Sequence, residues 1–302
     1  MTNQRYAAID LGTNTFHILI AEKLGDGRFK KIHQQRVYVY LGRDGVAHIN
    51  QESFQKGLET IGLFTALLSE HKVDDYKMTG TETFRHADNG QEFINLVREK
   101  FSLDIDIIDG QEEAAYIYKG VLAYLSPPYG KYLIMDIGGG SVEFIYFDTD
   151  KMHYSKSFPI GISVLYNKFQ NSDPLSDESI EKTHSWLKAQ LSDLSEYLKT
   201  VKVDALVGSA GSFEVLSSIL EASLQKKINE RFTKEEFEQI YKEIFPLSQE
   251  ERLSYPGIVK ERVLLIPIAM VLINHILNEY AIQEILVSSY ALKEGVISDF
   301  IS

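Results

Sequence analysis

The sequence contains no cysteine, which excludes disulfide bonds, thiolate-bound metal centres and a cysteine nucleophile. A cysteine-free chain is compatible with a reducing compartment. The N-terminal stretch MTNQRYAAIDLG also lacks the basic segment and apolar core that are typical of a signal peptide. We therefore expect a cytoplasmic protein.

Long apolar runs are missing as well. The most apolar stretch, residues 263–273, is about half as long as the ~20 residues that a helix needs to cross a bilayer. It is better explained as a buried helix, so we expect no membrane association.

Positive charge is scarce, because 31 lysines and arginines stand against 43 aspartates and glutamates, for a net charge of −12. Proteins that bind nucleic acid broadly need a basic face, so we expect no nucleic-acid partner. A polyanionic substrate would have to meet a site that is locally basic or assisted by a metal ion.

The remaining composition is that of an ordinary globular protein, with 44% hydrophobic and 25% charged residues. A single core seldom grows beyond ~250 residues, so 302 residues favour two domains. The segment SPPYG at residues 126–130 breaks regular structure and is the predicted domain boundary.

One pattern occurs twice along the chain. An apolar run ends in Asp10 and a glycine turn, and a second apolar run follows; the same order recurs around Asp136. Each copy predicts a β-hairpin with an acidic residue at the turn, so two related domains are expected to open in the same way.

The segments between these hairpins alternate between strand and helix patterns, which predicts an α/β fold. Predicted strands cover residues 77–80, 104–108, 204–207 and 284–288. Predicted helices cover residues 53–70, 91–101, 111–125, 176–200, 212–224 and 290–300, a helix that begins at a capping box at Thr233, and an apolar helix over residues 259–280 that Pro267 kinks or breaks.

The two glycine turns carry the main chemical signal. Glycines let the backbone approach a phosphate closely and present its N–H groups, and Thr13, Thr15 and Ser141 add hydroxyl donors. The carboxylates of Asp10 and Asp136 repel a phosphate unless Mg²⁺ or Ca²⁺ lies between them. The alternative is that each turn is a tight hairpin with glycines for geometry alone.

Three further segments are candidates for the site. The loop VGSAGS follows a strand and opens a helix, where N–H groups attract anions; alternatively, it is a plain turn with Ser212 as helix cap. Glu112 and Glu113 begin another helix, and only one of them can face a site as a general base; alternatively, both complement the helix dipole. Arg85 is suited to clamp a phosphate, or is a surface arginine.

Taken together, these segments resemble the exopolyphosphatase/guanosine pentaphosphate phosphohydrolase family of the actin, sugar-kinase and heat-shock-chaperone superfamily. The resemblance covers nearly the whole chain and rests on AAIDLGTNTFHILI, TETFRHA, GQEEA, DIGGGSVE, VGSAGS and SSYALKEGV, in the family's order. DIGGG is shared across the superfamily, whereas GQEEA with TETFRHA is far more specific.

The resemblance implies roles for individual residues. Glu113 matches the family's catalytic base, Glu143 a catalytic-site carboxylate and Arg85 a phosphate-contacting arginine, while Asp136 matches a metal-associated carboxylate. With Asp10, these complete the expected catalytic and Mg²⁺-binding set. The expected phosphate-binding residues are Gly12, Thr13, Asn14, Thr15, Gly138, Gly139, Gly140, Ser141, Gly208, Ser209, Ala210, Gly211 and Ser212.

The chain departs from the family pattern at three places. TNT replaces the common SNS in the first turn, Tyr290 replaces a glycine, and Lys293 replaces the usual arginine in the closing segment. The length matches the family's short, two-domain form.

The resemblance implies two actin-like (ribonuclease H-like) domains with an interdomain cleft, formed by residues 1–124 plus 290–302 and by residues 125–289. The expected activity is removal of the terminal phosphate of polyphosphate by metal-assisted, in-line attack of water, in an enzyme that forms a homodimer. Three alternatives stay open: a guanosine pentaphosphate (pppGpp) phosphohydrolase, a non-catalytic sensor of guanosine polyphosphates, and an ATP-dependent kinase of the same superfamily.

Overall fold

The computed structural model describes residues 4–25, 28–125, 130–209, 211–224, 227 and 231–301. Residues 126–129 of the predicted boundary at 126–130, and the predicted site residue Ala210, therefore lie outside the described residues. The chain divides into two compact units. Unit 1 comprises Met1–Tyr124, Gly138–Gly140 and Tyr290–Ser302, and unit 2 comprises Leu125–Ile137 and Ser141–Ser289.

Strands and helices alternate, as predicted. The strands are β1 Arg5–Leu11, β2 Thr15–Lys23, β3 Phe29–Tyr38, β4 Asp75–Gly80, β5 Asp106–Ile107, β6 Tyr132–Ile137, β7 Val142–Phe147, β8 Met152–Phe158, β9 Ala205–Ser209, β10 Arg231–Thr233 and β11 Glu284–Val287. The helices are α1 Gln51–Glu70, α2 Glu82–His86, α3 Gly90–Phe101, α4 Gly110–Leu125, α5 Ile162–Phe169, α6 Asp177–Gln190, α7 Ser192–Leu198, α8 Gly211–Leu224, α9 Lys234–Ile244, α10 Gln249–Leu253, α11 Ile266–Glu279 and α12 Leu292–Ile301, with a 3₁₀ turn at Lys260–Arg262.

Unit 1 contains a five-stranded sheet in the order β3-β2-β1-β4-β5. The strands β1, β2 and β3 are antiparallel neighbours, whereas β4 runs parallel to β1 and β5 parallel to β4. Phe16 of β2 packs edge-on against Phe93 of α3, with ring centroids 6.4 Å apart, and Phe64 of α1 is fully buried in the same core. These rings pack α1 and α3 against the sheet.

The closing helix α12 belongs to unit 1 and packs closely against α4. A Cβ atom on Gly295 would lie 1.9 Å from the carbonyl oxygen of Tyr116, and one on Gly120 would lie 2.1 Å from that of Ala291. Only glycines allow this approach of two helix backbones. Tyr6 of β1 stacks on Phe300 of α12, with ring centroids 4.8 Å apart, and fixes the other end of the helix.

Unit 2 contains a six-stranded sheet in the order β10-β11-β9-β6-β7-β8. Its strands β6 and β7 are almost entirely buried, and α11, which is apolar nearly all round, is buried with them. The Thr233 capping box that the sequence predicted begins α9. Among the described residues, no helix is long and apolar enough to cross a membrane.

Some elements differ from the prediction. The predicted helix 176–200 is divided at Leu191 into α6 and α7. The apolar helix predicted over residues 259–280 is broken rather than kinked, which confirms one of the two outcomes expected at Pro267. Helix α11 begins at Ile266, and Pro267 lies in its first turn, where its missing N–H has no helical partner to lose. The strands β3 and β8 were not predicted, because their charged and polar residues hide the alternation that marks a half-buried strand.

Candidate functional site

The first glycine turn joins β1 to β2 in unit 1. The N–H of Gly12 donates to the carbonyl oxygen of Thr15 at 3.1 Å, which closes the turn. The carbonyl oxygen of Asn14 accepts from the N–H groups of Val39 and Tyr40, at 2.9 and 3.0 Å. The turn is therefore held from inside and from the segment after β3, with Thr13 and Asn14 buried.

The glycines of the second turn, Gly138–Gly140, belong to the same unit and lie against the first turn. A Cβ atom on Gly139 would come within 2.7 Å of the Asn14 side-chain amide, and one on Gly140 within 2.6 Å of Glu82 Cγ and 3.0 Å of Thr13 Oγ1. Any other residue would displace these neighbours. The packing thus requires glycine at both positions.

Arg85 and Glu113 form an ion pair in unit 1. Glu113 lies in the first turn of α4 and is 7% exposed, whereas its neighbour Glu112 is exposed and accepts a hydrogen bond from the N–H of Asp109 at 3.0 Å. Arg85 Nη1 donates to Glu113 Oε2 at 3.0 Å and to the carbonyl oxygen of Ile108 at 2.7 Å. Of the two glutamates, Glu113 is therefore the one that is turned inward.

A third charged group, Glu82, completes this cluster. Its Oε2 accepts from both Nε and Nη2 of Arg85, at 3.2 and 2.7 Å, and its Oε1 lies 3.3 Å from Nε2 of His86. Burial by itself lowers the pKa of Arg85, but the carboxylates of Glu113 and Glu82 outweigh it and raise that pKa above its ordinary value. The guanidinium is therefore a permanent cation shared by two carboxylates.

Unit 2 carries two buried carboxylates on adjacent strands. Asp136 near the end of β6 is the register partner of Glu143 near the start of β7. Glu143 Oε1 accepts from the hydroxyls of Ser141 and Ser157, both at 2.7 Å, and Asp136 Oδ2 accepts from the hydroxyl of Ser209 at 2.9 Å. Like charges directly opposite each other on a sheet are unfavourable, so this pair is suited to a cation.

The corresponding register partners in unit 1 are not two carboxylates. Asp10 of β1 is the register partner of His17 of β2, which in turn is the register partner of Arg36 of β3. His17 thus occupies the place that Glu143 has in unit 2, seven residues after the aspartate in each copy. A divalent cation fits the paired carboxylates of unit 2 better than Asp10, whose neighbours across the sheet are a histidine and then an arginine.

Oxygen ligands of this kind fit Mg²⁺. Mg²⁺ usually keeps several waters and is held by one or two carboxylates together with substrate phosphates. Over the ranges that the structure describes, no three His, Cys, Asp or Glu side chains form a group that could hold a metal ion. The pair Asp136 and Glu143 is consistent with a site that substrate oxygens and water complete.

The third glycine loop follows β9 in unit 2. A Cβ atom on Gly208 would lie 2.1 Å from the ring of Phe213, and one on Gly211 would lie 2.2 Å from Nη2 of Arg262. Packing therefore explains why both positions are glycine, since any side chain would clash with these neighbours. Ser209 and Ser212 are buried in the same segment. Arg262, 6% exposed, brings a guanidinium to this loop.

Three polar residues at these places were not predicted from the sequence: Glu82, Thr83 and Arg262. Thr83 donates from its hydroxyl to Oγ1 of Thr13 at 2.9 Å, with both side chains buried. Glu82 and Thr83 lie inside the segment TETFRHA, three and two positions before Arg85, so this segment held a signal for them. Arg262 has no comparable signal, because only the fold brings it to Gly211.

The chain is similar to known proteins over nearly its whole length. The model of the Ppx/GppA phosphatase family matches residues 19–302. A Haemophilus influenzae protein provisionally named an exopolyphosphatase is 28% identical over 293 residues, which are 96% of this chain and 90% of that protein. A guanosine-5'-triphosphate,3'-diphosphate pyrophosphatase of Vibrio vulnificus is 29% identical over 299 residues, which are 98% of this chain but 59% of that protein.

The chain is also similar to solved structures over nearly its whole length. The crystal structure of an exopolyphosphatase from Cytophaga hutchinsonii matches with a TM-score of 0.93 and 31% identity, over 99% of this chain and 98% of that one. The prediction of a two-domain, actin-like α/β fold is thereby confirmed.

Proposed function

The chain belongs to the Ppx/GppA phosphatase family, and from this premise we propose that it removes the terminal phosphate of inorganic polyphosphate by attack of water. The observation that carries the proposal is the buried carboxylate of Glu113, held by Arg85 at the start of α4. A hydrolase of phosphoric anhydrides needs a base that orients and deprotonates the attacking water. Glu113 has this role in the proposed reaction.

The proposed reaction has a simple balance. Glu113 takes a proton from water, the water oxygen forms a bond to the terminal phosphorus, and the bridging P–O bond breaks in line. Orthophosphate and a polyphosphate shorter by one unit are the products. Backbone N–H groups of the glycine turns, with the hydroxyls of Thr13 and Thr15, are suited to bind the phosphate oxygens.

Asp136 and Glu143 would hold Mg²⁺. When bound, the ion would neutralise charge on the phosphate oxygens and on the leaving oxygen. The serine hydroxyls of Ser141, Ser157 and Ser209 orient both carboxylates, as outer partners commonly do for metal ligands.

The second candidate substrate is pppGpp. It is favoured by the Vibrio vulnificus pyrophosphatase, whose name gives a guanosine polyphosphate as substrate and whose similarity covers 98% of this chain. The bond that breaks is again a terminal phosphoric anhydride, so the same base and the same phosphate-binding groups serve.

The experiment compares phosphate release from long-chain polyphosphate and from pppGpp, with Mg²⁺ present. We expect wild-type protein to release phosphate from polyphosphate, and Glu113→Gln to lower kcat by about 10²-fold or more, because the amide cannot accept the proton. Glu112→Gln is the matched control, since it changes the adjacent, exposed carboxylate and retains an oxygen acceptor for the N–H of Asp109.

The other outcomes have definite meanings. Release from pppGpp alone would change the substrate and keep the mechanism. Tight binding of guanosine polyphosphates without turnover would favour the sensor, and ATP-dependent phosphorylation of an acceptor would favour the kinase. Full activity of Glu113→Gln at saturating substrate would remove Glu113 from the role of base.

A further inference from the structure

Glu82 is a buried carboxylate that none of the roles above uses. We propose that Glu82 is a positioning residue for the proposed hydrolysis: it fixes the guanidinium of Arg85 and offsets part of its charge, so that Arg85 orients Glu113 without weakening it as a base. This inference rests on the proposed function of Glu113.

The hydrogen bonds of Arg85 give the first argument. A guanidinium has five N–H groups in a fixed plane. Four of them have protein acceptors: Nε and Nη2 bind Glu82, and Nη1 binds both Glu113 and the carbonyl oxygen of Ile108. Arg85 is therefore committed mainly to orienting protein groups, and a phosphate clamp through its planar fork would first require these bonds to break.

Glu82 sets the orientation of that plane. Two of the four bonds end on its Oε2, on the edge of the guanidinium that carries Nε and Nη2. With that edge fixed and Ile108 accepting one Nη1 hydrogen, the other Nη1 hydrogen is directed at Glu113 Oε2. Loss of Glu82 leaves the arginine held at one nitrogen only.

The location of Glu82 gives the second argument. The residue is 7% exposed and lies against Gly140, where a Cβ atom on the glycine would meet Glu82 Cγ at 2.6 Å. A carboxylate at such a position is costly unless it is paired, and Arg85 and His86 supply the pairing. The side chain thus lies between Gly140 of the second turn and Arg85, which contacts the proposed base.

The charges give the third argument. Glu82 and Glu113 share one guanidinium, so the positive charge that acts on Glu113 is partly neutralised. A nearby cation favours the ionised form of a carboxylate and so makes it a poorer proton acceptor. The other ionisable side chains of this cluster are His86, at Oε1 of Glu82, and Glu112, which accepts from the N–H of Asp109.

The test is steady-state kinetics of Glu82→Gln and Glu82→Ala on the substrate that wild-type protein hydrolyses, across pH. We expect Glu82→Gln to lower kcat about 5-fold, with KM within about 2-fold, and to move the acid limb of kcat/KM to lower pH by about half a unit. Glu82→Ala, which also removes the acceptor for Arg85, is expected to lower kcat about 30-fold.

Two controls separate positioning from damage to the fold. Glu52→Gln makes the same change in an exposed pair with Arg43, 2.8 Å apart in the same unit, and is expected to leave kcat and the acid limb unchanged. Thermal unfolding of each variant identifies any loss of folded protein.

Three outcomes would overturn the inference while leaving the proposed function intact. These are unchanged kcat in both variants, a lower kcat with an unmoved acid limb, and a lower KM with kcat retained, which would make Glu82 a competitor of phosphate for Arg85. Wild-type protein that releases no phosphate from either substrate would overturn the proposed function, and this inference with it.

Discussion

At the scale of single residues, the position of a side chain decides between chemically identical candidates. Glu112 and Glu113 are adjacent in sequence, but one is exposed at the helix start and the other is buried against Arg85. Residues next to each other on a helix point about 100° apart, so the sequence predicts that they differ. The ion pair with Arg85 identifies Glu113 as the buried one.

The paired carboxylates of unit 2 give a residue-scale prediction about the metal. We expect Asp136→Asn to raise the Mg²⁺ concentration for half-maximal phosphate release by about 10-fold or more, because one of two anionic ligands is lost. We also expect Mg²⁺ to raise the thermal unfolding temperature of Asp136→Asn less than that of wild-type protein, since a ligand that binds only the folded state raises its stability.

Asp148→Asn is the matched control, because Asp148 follows β7 at the end away from Glu143 and pairs with His153. Its Mg²⁺ requirement is expected to equal that of wild-type protein. An unchanged Mg²⁺ requirement in Asp136→Asn would count against a metal at this pair.

At the scale of elements, α6 and α11 of unit 2 meet at two histidines. Nδ1 of His184 and Nδ1 of His275 are 3.2 Å apart, with the rings stacked at 5.3 Å. Burial, followed by the charge of His184, lowers the pKa of His275 to about 4, and burial also lowers the pKa of His184. Lys188 acts in the same direction on His275, and Glu279 opposes it.

This pair gives a prediction about pH and stability. His275 titrates near pH 6.5 when unfolded and near pH 4 when folded, so the unfolded chain binds more protons between these values. The stability that neutral His275 contributes is complete above about pH 6.5 and is lost as pH falls towards 4, by on the order of 2 kcal/mol. Denaturant unfolding at pH 7 and pH 4.5 measures the difference.

The variant His275→Phe keeps an aromatic ring against His184 and removes one titrating group, so its stability should depend less on pH in this window. His48→Phe, at a histidine whose side chain is 63% exposed, is expected to retain the wild-type dependence. Identical pH dependence in wild-type protein and His275→Phe would show that the histidine contact carries no such linkage.

The accuracy of the element predictions followed the strength of each local pattern. The hairpins, α1, α3 and α4 had clear apolar periodicity, and the capping box at Thr233 marked the start of α9. The edge strands β3 and β8 had no such pattern, because pairing with the neighbouring strand supplies their stability rather than a buried face of their own. The division between α6 and α7 at Leu191 was likewise not predicted, because no glycine or proline marks it in the sequence.

At the scale of the whole molecule, a strongly acidic protein is proposed to act on a polyanion. The net charge of −12 repels polyphosphate at long range, whereas the groups proposed to bind it act at short range. The homodimer and the cytoplasmic location expected from the sequence stay predictions.

The charge gives a prediction for salt dependence. Screening shortens the reach of the repulsion to ~10 Å at 0.1 M salt, so we expect KM for long-chain polyphosphate to fall about 2-fold or more between 20 and 200 mM NaCl, at constant free Mg²⁺. Because pppGpp carries far fewer charges than a long polymer, its KM should change less. A KM for polyphosphate that rises with salt would indicate attraction by a local basic surface instead.

The sequence by itself determined the family, the fold class, the repeated hairpin and the identity of the glycine turns, because these depend on local periodicity and on motifs that are contiguous in the chain. The tertiary structure decided what the motifs do to one another. It showed that Arg85 is shared by Glu82 and Glu113, that Asp136 lies opposite Glu143 whereas Asp10 lies opposite His17, and that Arg262 reaches Gly211. The contacts of Arg85 with Glu113 and of Gly211 with Arg262 join residues far apart in the chain, so only the packing of the elements creates them. The pairs Asp136–Glu143 and Asp10–His17 depend on the register of each hairpin, which local periodicity leaves open.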